Sequence, residues 1–286
     1  AMSPELLNNL YALLYQKAAY EITKEVTGDG IIWARAGWAG CQRYPLHWGR
    51  DSASTLDGME GSLNGGLHFV LSCSAFWSHD VPGFHSVPHF MNSPVPDDVY
   101  VRWTQFGVFS SHIRYHGTSK REPWHYPAVA PIVKKWWNLR YALIPYIIEQ
   151  SKKATETGHT LLRALIFHHT DDKLCWHIDD EYYFGDDFLV APVMNSENRR
   201  DVYLPEGKWV NFFDGTRYDG GRWLKDLEVP LDEMPVYVRE GAEIPYYPAV
   251  VQCTDEMDMG KCSLTPALSK GEGEGDSLYN IIMKNW

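Results

Sequence analysis

Two short aromatic runs, each ending in an acid and broken at once by glycine or proline, constrain this chain more than any other feature. The first is Leu46-His47-Trp48-Gly49-Arg50-Asp51; the second is Phe76-Trp77-Ser78-His79-Asp80-Val81-Pro82-Gly83-Phe84. Residues 54–71, between them, have the length of a helix. The order is therefore strand, acid, loop, helix, strand, acid. That is the order of a β/α barrel, which carries its catalytic groups at the carboxyl ends of its strands.

The neighbouring segments extend the pattern. Ser3-Pro4-Glu5 is a helix start, with Ser at the N-cap and Pro in the first turn. Leu6, Leu10, Leu13, Leu14, Lys17 and Ala18 follow at helical spacing until Gly28 ends the run. Residues 30–35 predict a buried strand ending in Arg35, and the small apolar loop over 36–40 turns that Arg toward a pocket rather than toward solvent. Residues 44–48 form the next strand, which delivers Asp51. The helix over 54–71 contains Gly58, Gly61, Gly65 and Gly66. Glycine is costly inside a helix, so close packing is expected there. Residues 73–80 read as a third strand, and Asp97 or Asp98 caps a helix running to 111. Residues 111–117 are a fourth strand ending in His116 and Gly117, and 132–157 one long helix kinked at Pro145.

After Gly158 the texture changes to short β-rich runs over 161–167, 188–193, 202–204, 209–213 and 236–238, separated by turns such as Pro205-Glu206-Gly207. This predicts a small antiparallel β-sandwich. The expected organisation is a partial (β/α)8 catalytic barrel over 1–158, a β-sandwich domain over 159–258, and a disordered, non-native tail over 259–286 centred on Ser269-Lys270-Gly271-Glu272-Gly273-Glu274-Gly275. The first part holds four strand/helix units, whereas a closed barrel needs eight. The chain thus reads as an α/β protein in which half a barrel precedes a sandwich, a fragment of something longer.

Composition narrows the partners. A net charge of −11 without a Lys/Arg cluster argues against nucleic acid and anionic membranes. No apolar run approaches a transmembrane length. The five Cys (Cys41, Cys73, Cys175, Cys253, Cys262) lack CxxC spacing and read as free thiols in a reducing, cytoplasmic compartment; no secretory signal opens the sequence. The 12 His are scattered, His168-His169 reads as a strand end, and no metal or cofactor is expected. The 12 Trp and 17 Tyr are mostly core and interface material. Beside acids at strand ends, however, aromatic rings suit sugars, whose C–H faces stack on them. Each candidate has a plainer alternative: Asp51 as a helix cap, Asp80 as an Asx-turn acid before Pro82-Gly83, His116 as a buried His bonded to backbone.

Five stretches together resemble glycoside hydrolase family 31, the α-glucosidase and α-xylosidase family, and within it the α-xylosidase-like branch. They are Trp33-Ala34-Arg35, residues 42–51, residues 77–84, Ser111-His112-Ile113-Arg114-Tyr115-His116-Gly117, and Gly185-Asp186-Asp187-Phe188-Leu189-Val190-Ala191-Pro192-Val193. The resemblance implies a retaining α-glycosidase acting on a terminal α-linked sugar of an oligosaccharide or α-glycoside. It implies Asp51 as the catalytic acid/base, and Arg35, Asp80 and His116 as residues that hold sugar hydroxyls. Trp48 and Phe84 match aromatic positions of the same pocket. Arg50 and Pro82 stand where many relatives have Gly. The family's nucleophile, an Asp in an Asp-Phe-Gly-Glu-like stretch after the fourth barrel strand, has no counterpart here; Phe184-Gly185-Asp186-Asp187 reads as a turn in the second domain. The expected consequences are a chain inactive alone and self-association through exposed half-barrel edges. The alternative is a non-catalytic carbohydrate-binding remnant or a nonfunctional truncated product.

Overall fold

The first helix starts and stops where its sequence predicts. In this computed structural model, which describes residues 3–72, 74–91, 93–267 and 276–286, the Ser3 hydroxyl accepts from Leu6 N–H, and α1 (Pro4–Thr27) runs to Gly28 in the left-handed region. Its apolar residues are another matter. Leu6, Leu7, Tyr11, Leu14, Tyr15, Ile22 and Val26 are exposed, and Gln16 is the residue that α1 buries.

Four segments pair side by side in parallel. Residues 32–34 lie against β1 (His47–Trp48), with Ile32 N donating to Pro45 O (2.8 Å) and Ala34 N to Leu46 O (2.9 Å). β1 pairs with β2 (Trp77–Ser78), and β3 (Asp80–Val81) with β4 (Arg114–Tyr115). The expectation that residues 30–35 form a buried strand fails: Ile31 and Trp33 are exposed. The segment is the edge of the described sheet, bonded along one side, so its outward side chains stay in solvent.

Four helices are interleaved with these strands or follow them. α2 (Leu56–Val70) is capped by Thr55, whose Oγ1 accepts from Gly58 N. The packing expected of its glycines holds at two of four. A Cβ on Gly66 would meet the Trp77 ring at 2.3 Å and one on Gly58 would meet Ala53 O at 2.1 Å, while Gly61 and Gly65 face open space. α3 (Asp97–Val108) follows Pro96, so neither Asp97 nor Asp98 is the cap. Both lie in the first turn, where their charge suits the helix N-terminus. The long kinked helix expected over 132–157 is two helices, α4 (Ala130–Ala142) and α5 (Ile144–Thr157), with Pro145 in the first turn of the second. Proline lacks the N–H that would bond back to the preceding turn, so it opens a helix more readily than it continues one.

Beyond Gly158, which ends α5, the chain is antiparallel. β5 (Leu162–Ala164), β6 (Tyr182–Phe184), β7 (Phe188–Val190), β9 (Lys208–Asn211), β10 (Arg217–Asp219) and β12 (Val236–Arg239) form one sheet in the order β10-β9-β12-β7-β6-β5. β8 (Arg199–Leu204) and β11 (Arg222–Glu228) form a second sheet. Strand alternation decides the layers. Tyr182, Phe184, Phe188, Val190, Val236 and Val238 join the core shared with the helices, while Tyr183, Leu189, Trp209 and Tyr237 pack with Val202, Leu204 and Leu224 of the second sheet. Phe109 meets Phe184 edge-on at 5.6 Å, so the helix-facing core is continuous across both halves.

Charged groups are buried too, Arg102 and Glu181 among them. Arg102 of α3 is 1% exposed and donates to Val229 O (2.7 Å), Glu233 O (2.5 Å) and Asn198 Oδ1 (2.7 Å), tying the helix to the β layers. Glu181 has no solvent exposure; its carboxyl accepts from Tyr203 N (3.1 Å) and lies 3.5 Å from Arg200. Burial outweighs the Arg200 charge and pushes the Glu181 carboxyl up to about 8.

The expected disordered tail over 259–286 is overturned where it is described. β14 (Ser263–Leu264) pairs with β13 (Pro245–Tyr246), and α6 (Leu278–Met283) buries Leu278 and Ile282 in the main core. Trp286 Nε1 donates to Tyr247 O at 2.9 Å. A polar, glycine-rich run says nothing of the apolar turn that follows it. Residues 269–275 themselves, and Cys73, lie outside the described residues. Cys41, Cys175, Cys253 and Cys262 are free thiols. Among the described residues no helix is long and apolar enough to cross a membrane, and no group of His, Cys, Asp and Glu is placed to hold a metal ion.

Candidate active site

Each of the four parallel segments sends a side chain to one cluster. Asp80 of β3 and Arg114 of β4 are direct partners in the strand register. Arg114 Nη2 reaches Asp80 Oδ1 at 2.9 Å, and its guanidinium lies 4.4 Å from the Trp33 ring centre and 5.7 Å from that of Trp48. Asp80 is 1% exposed, and its second oxygen, Oδ2, is buried without a hydrogen-bond partner. Burial raises the Asp80 pKa above the ordinary carboxylate value, against the pull of Arg114, His116 and the Trp48 N–H. The Trp48 indole is near enough to help hold the charge, yet Trp48 Nε1 completes no hydrogen bond.

The loops beyond the strands are fastened to one another. Ser52 O accepts from Phe84 N (2.8 Å) and His85 N (2.9 Å), and Ala53 bridges His85 in parallel. Gly83, at φ 82°, brings the third loop so near that a Cβ there would meet Ser54 Cα at 2.7 Å. Buried Arg121 closes the arrangement. Its guanidinium donates to Gly83 O (3.2 Å), Phe84 O (3.2 Å), Ser54 Oγ (3.0 Å) and Ser86 Oγ (3.3 Å), so the loop after β4 clasps those after β1 and β3.

The expected site residues fall as follows. Trp48, Asp80, Phe84 and His116 adjoin one another: His116 acts electrostatically on Asp80, and its ring lies 5.3 Å from that of Phe84. Asp51 stands in the clasped loop, half-buried, with Oδ1 screened from solvent and unpartnered. It is not the cap of α2, since Thr55 is. Nor is Asp80 an Asx-turn acid, because its carboxyl goes to Arg114 and the turn before Gly83 is closed by Asp80 O instead. His116 is exposed rather than buried against backbone, and it faces a cleft of about 750 Å³ with Met91, Glu122 and His125. Arg35 is exposed and lines a cleft of about 490 Å³ with Trp48, Arg50 and Ser52.

Two residues were not found by reading the sequence. Arg114 had a signal: it precedes His116 by two, which in a strand puts both on one face. Arg121 had none, because its acceptors are backbone carbonyls and hydroxyls gathered from distant loops.

Arg50 is at φ 82°, a conformation that costs a non-glycine residue about 1–2 kcal/mol. Arg50→Gly is expected to stabilise the fold by about 0.5–1 kcal/mol, the remainder being lost to glycine's freer unfolded state. Urea unfolding checks this; an unchanged or lower midpoint would mean that the Arg50 side chain makes contacts worth more than the strain.

Comparison with known proteins agrees with this architecture. The model described as "Glycosyl hydrolases family 31 TIM-barrel domain" matches residues 2–150, and "Glycosyl hydrolase family 31 C-terminal domain" matches 158–244. An α-xylosidase of Emericella nidulans is 35% identical over 254 residues, covering 85% of this chain and 32% of that protein. Alpha-glucosidase 2 of Bacillus thermoamyloliquefaciens is 31% identical, covering 83% and 30%. A Flavobacterium johnsoniae dextranase solved with isomaltotriose superposes with a TM-score of 0.79 at 32% identity, over 87% of this chain and 32% of that one. The chain spans about a third of the length of the curated relatives it matches.

Proposed function

The chain belongs to glycoside hydrolase family 31, and from that premise we propose that it carries the acid/base side of a retaining α-glycosidase site for terminal α-linked xylosyl or glucosyl groups. Asp51 is the acid/base, Arg35, Asp80 and His116 hold hydroxyls, and Trp48 and Phe84 line the sugar's faces. Residues 1–158 supply this part of the barrel and 159–258 the β-domain behind it.

One observation carries the reading. Asp51 Oδ1, Asp80 Oδ2 and Trp48 Nε1 are all buried and unpartnered, two acceptors and a donor. A buried polar group left so costs about 1–3 kcal/mol. A sugar answers all three, because each hydroxyl both donates and accepts while the ring's C–H face rests on an indole. The relatives named α-xylosidase and α-glucosidase, and the dextranase holding isomaltotriose, support a carbohydrate as the ligand class.

Retention needs a second carboxylate about 5–5.5 Å from the first, attacking the opposite side of the anomeric carbon. No Asp-Phe-Gly-Glu-like stretch occurs in these 286 residues. In this reading the nucleophile comes from polypeptide outside them, and the chain alone binds sugar without turning it over. The exposed apolar residues of α1 support self-association as a further consequence.

The test is a titration of the chain with methyl α-D-xyloside and methyl α-D-glucoside, followed by tryptophan fluorescence. Saturable binding is expected for at least one, weakened about 10-fold or more in Asp80→Asn, since a hydrogen bond to a charged group contributes about 1.5–3 kcal/mol. Failure of both sugars to bind would remove the reading.

A further inference from the structure

Arg114 has no part in the roles assigned above, yet it lies against Asp80, Trp33 and Trp48. It salt-bridges Asp80 from the facing register position and stacks near Trp33 and Trp48. Resting on the reading of Asp80 as a sugar-holding residue, we propose that Arg114 is the positioning residue of this site: it fixes the charge and rotation of the Asp80 carboxylate so that Oδ2 is presented to a substrate hydroxyl.

The geometry divides the labour within one carboxylate. Oδ1 is taken by Arg114 Nη2 at 2.9 Å, and Oδ2 is buried and uncommitted. A carboxylate bonded at one oxygen to a fixed cation cannot swing, so the direction of the other oxygen is set before ligand arrives. Arg114 is itself held. Its planar guanidinium lies over Trp33 from the edge segment and near Trp48 from β1, an arrangement that a lysine ammonium reproduces poorly. Three strands therefore fix the direction of one oxygen atom on a fourth.

Charge needs the same partner. Burial favours the neutral acid at Asp80. The groups facing it are Arg114 and His116 from the β4 segment, Arg121 from the loop beyond, and the Trp48 N–H from β1. Of these, Arg114 is the one in hydrogen-bonded contact. A neutral Asp80 with its proton on Oδ2 would offer a donor where the reading requires an acceptor.

The experiment separates this role from a merely structural salt bridge. The side-chain carboxyl carbon of Asp80 is followed by NMR against pH in the 286-residue chain, assigned with Asp80→Asn, and repeated in Arg114→Met and Arg114→Lys. The Asp80 titration is expected to move to higher pH in Arg114→Met and to return part of the way in Arg114→Lys, which also serves if the Met variant fails to fold. In parallel, affinity for methyl α-D-xyloside at neutral pH is expected to fall about 10-fold in Arg114→Met, with a pH dependence that follows the displaced Asp80 midpoint. An Asp80 titration unmoved in both variants overturns the proposal. So does an affinity loss that ignores the Asp80 midpoint. A wild-type chain that binds no xyloside, but whose Asp80 still moves with Arg114, upholds the hold of Arg114 on Asp80 and removes the sugar reading instead.

Discussion

Given an activated aryl α-xyloside, this chain on its own is expected to release no aglycone above the uncatalysed rate. Joined to polypeptide that places a carboxylate across the anomeric carbon from Asp51, the same residues are expected to turn it over with retention. The reason lies in which bond must form first. On the proposed reading Asp51 gives a proton to the departing oxygen, but a retaining enzyme's first step is attack by a second carboxylate, and proton donation typically contributes only about 10²–10⁴-fold. Groups acting as a unit are strongly non-additive, so on the proposed reading lack of the second carboxylate removes most of the rate rather than its share. Asp80 does not substitute: one oxygen is bound to Arg114 and the carboxyl is buried at a strand end. In the joined protein Asp51→Asn is expected to cost about 10²–10⁴-fold on alkyl glycosides. The loss should be much smaller in the first step on aryl substrates, whose leaving groups need little protonation. Turnover by the chain alone that Asp51→Asn abolishes would place the nucleophile within these residues.

The second large effect is on stability, and it turns on Glu181. In the unfolded chain this carboxyl loses its proton near 4.5; in the folded protein, where burial disfavours the charge, it does so only at about 8. Between those values the native state holds one more proton than the unfolded state, so raising the pH draws the equilibrium toward unfolding. The stabilisation from this group is complete below about pH 4.5 and is lost as the pH rises through about 8. At about 1.4 kcal/mol per pH unit, the span amounts to a few kcal/mol. Buried His79 and His112, both held neutral down to about 3, act in the opposite direction below their ordinary range. The clean quantity is therefore the difference between the wild type and Glu181→Gln, measured by urea unfolding at several pH values. The variant should gain on the wild type steadily from pH 5 to about 8 and level off above that. A constant difference would mean that Arg200 keeps Glu181 ionised throughout.

Much of this fold was legible because barrel strands announce themselves at their ends. An apolar run that stops in an acid, then Gly or Pro, located β1 and β3, and Ser-Pro with Gly28 bounded α1. The β6 strand escaped notice because Tyr182–Phe184 is three aromatic residues buried on both faces, without the polar alternation that marks a half-exposed strand. β11 escaped for the opposite reason: it is largely polar, and its register shifts between Leu224 and Leu227. Exposure was the least legible property. Residues 30–35 have the composition of a buried strand and α1 that of a core-facing helix, but burial depends on what lies opposite, which no local pattern encodes. Of the candidate site, the residues that follow strands could be named in advance as candidates only. Arg114 and Arg121, which hold those residues in place, act through contacts between segments remote in sequence.

The Arg102 tether gives the β layers a mechanical role. Its guanidinium grips two carbonyls and a side-chain amide of the β layers. Its helix, α3, lies so close behind the parallel strands that a Cβ on Gly107 would meet Ile113 at 2.5 Å and Val81 at 3.1 Å. Val81 adjoins Asp80. The sandwich thus acts as a splint: α3 is clamped at its back and pressed at its front against the strand that aims the carboxylate. A misplacement of about 1 Å can cost an active site two orders of magnitude in rate. On this arrangement the tolerance of the candidate site is set partly in the β layers, and damage to the sandwich would be read out as poor aim at Asp80 well before it was read out as unfolding.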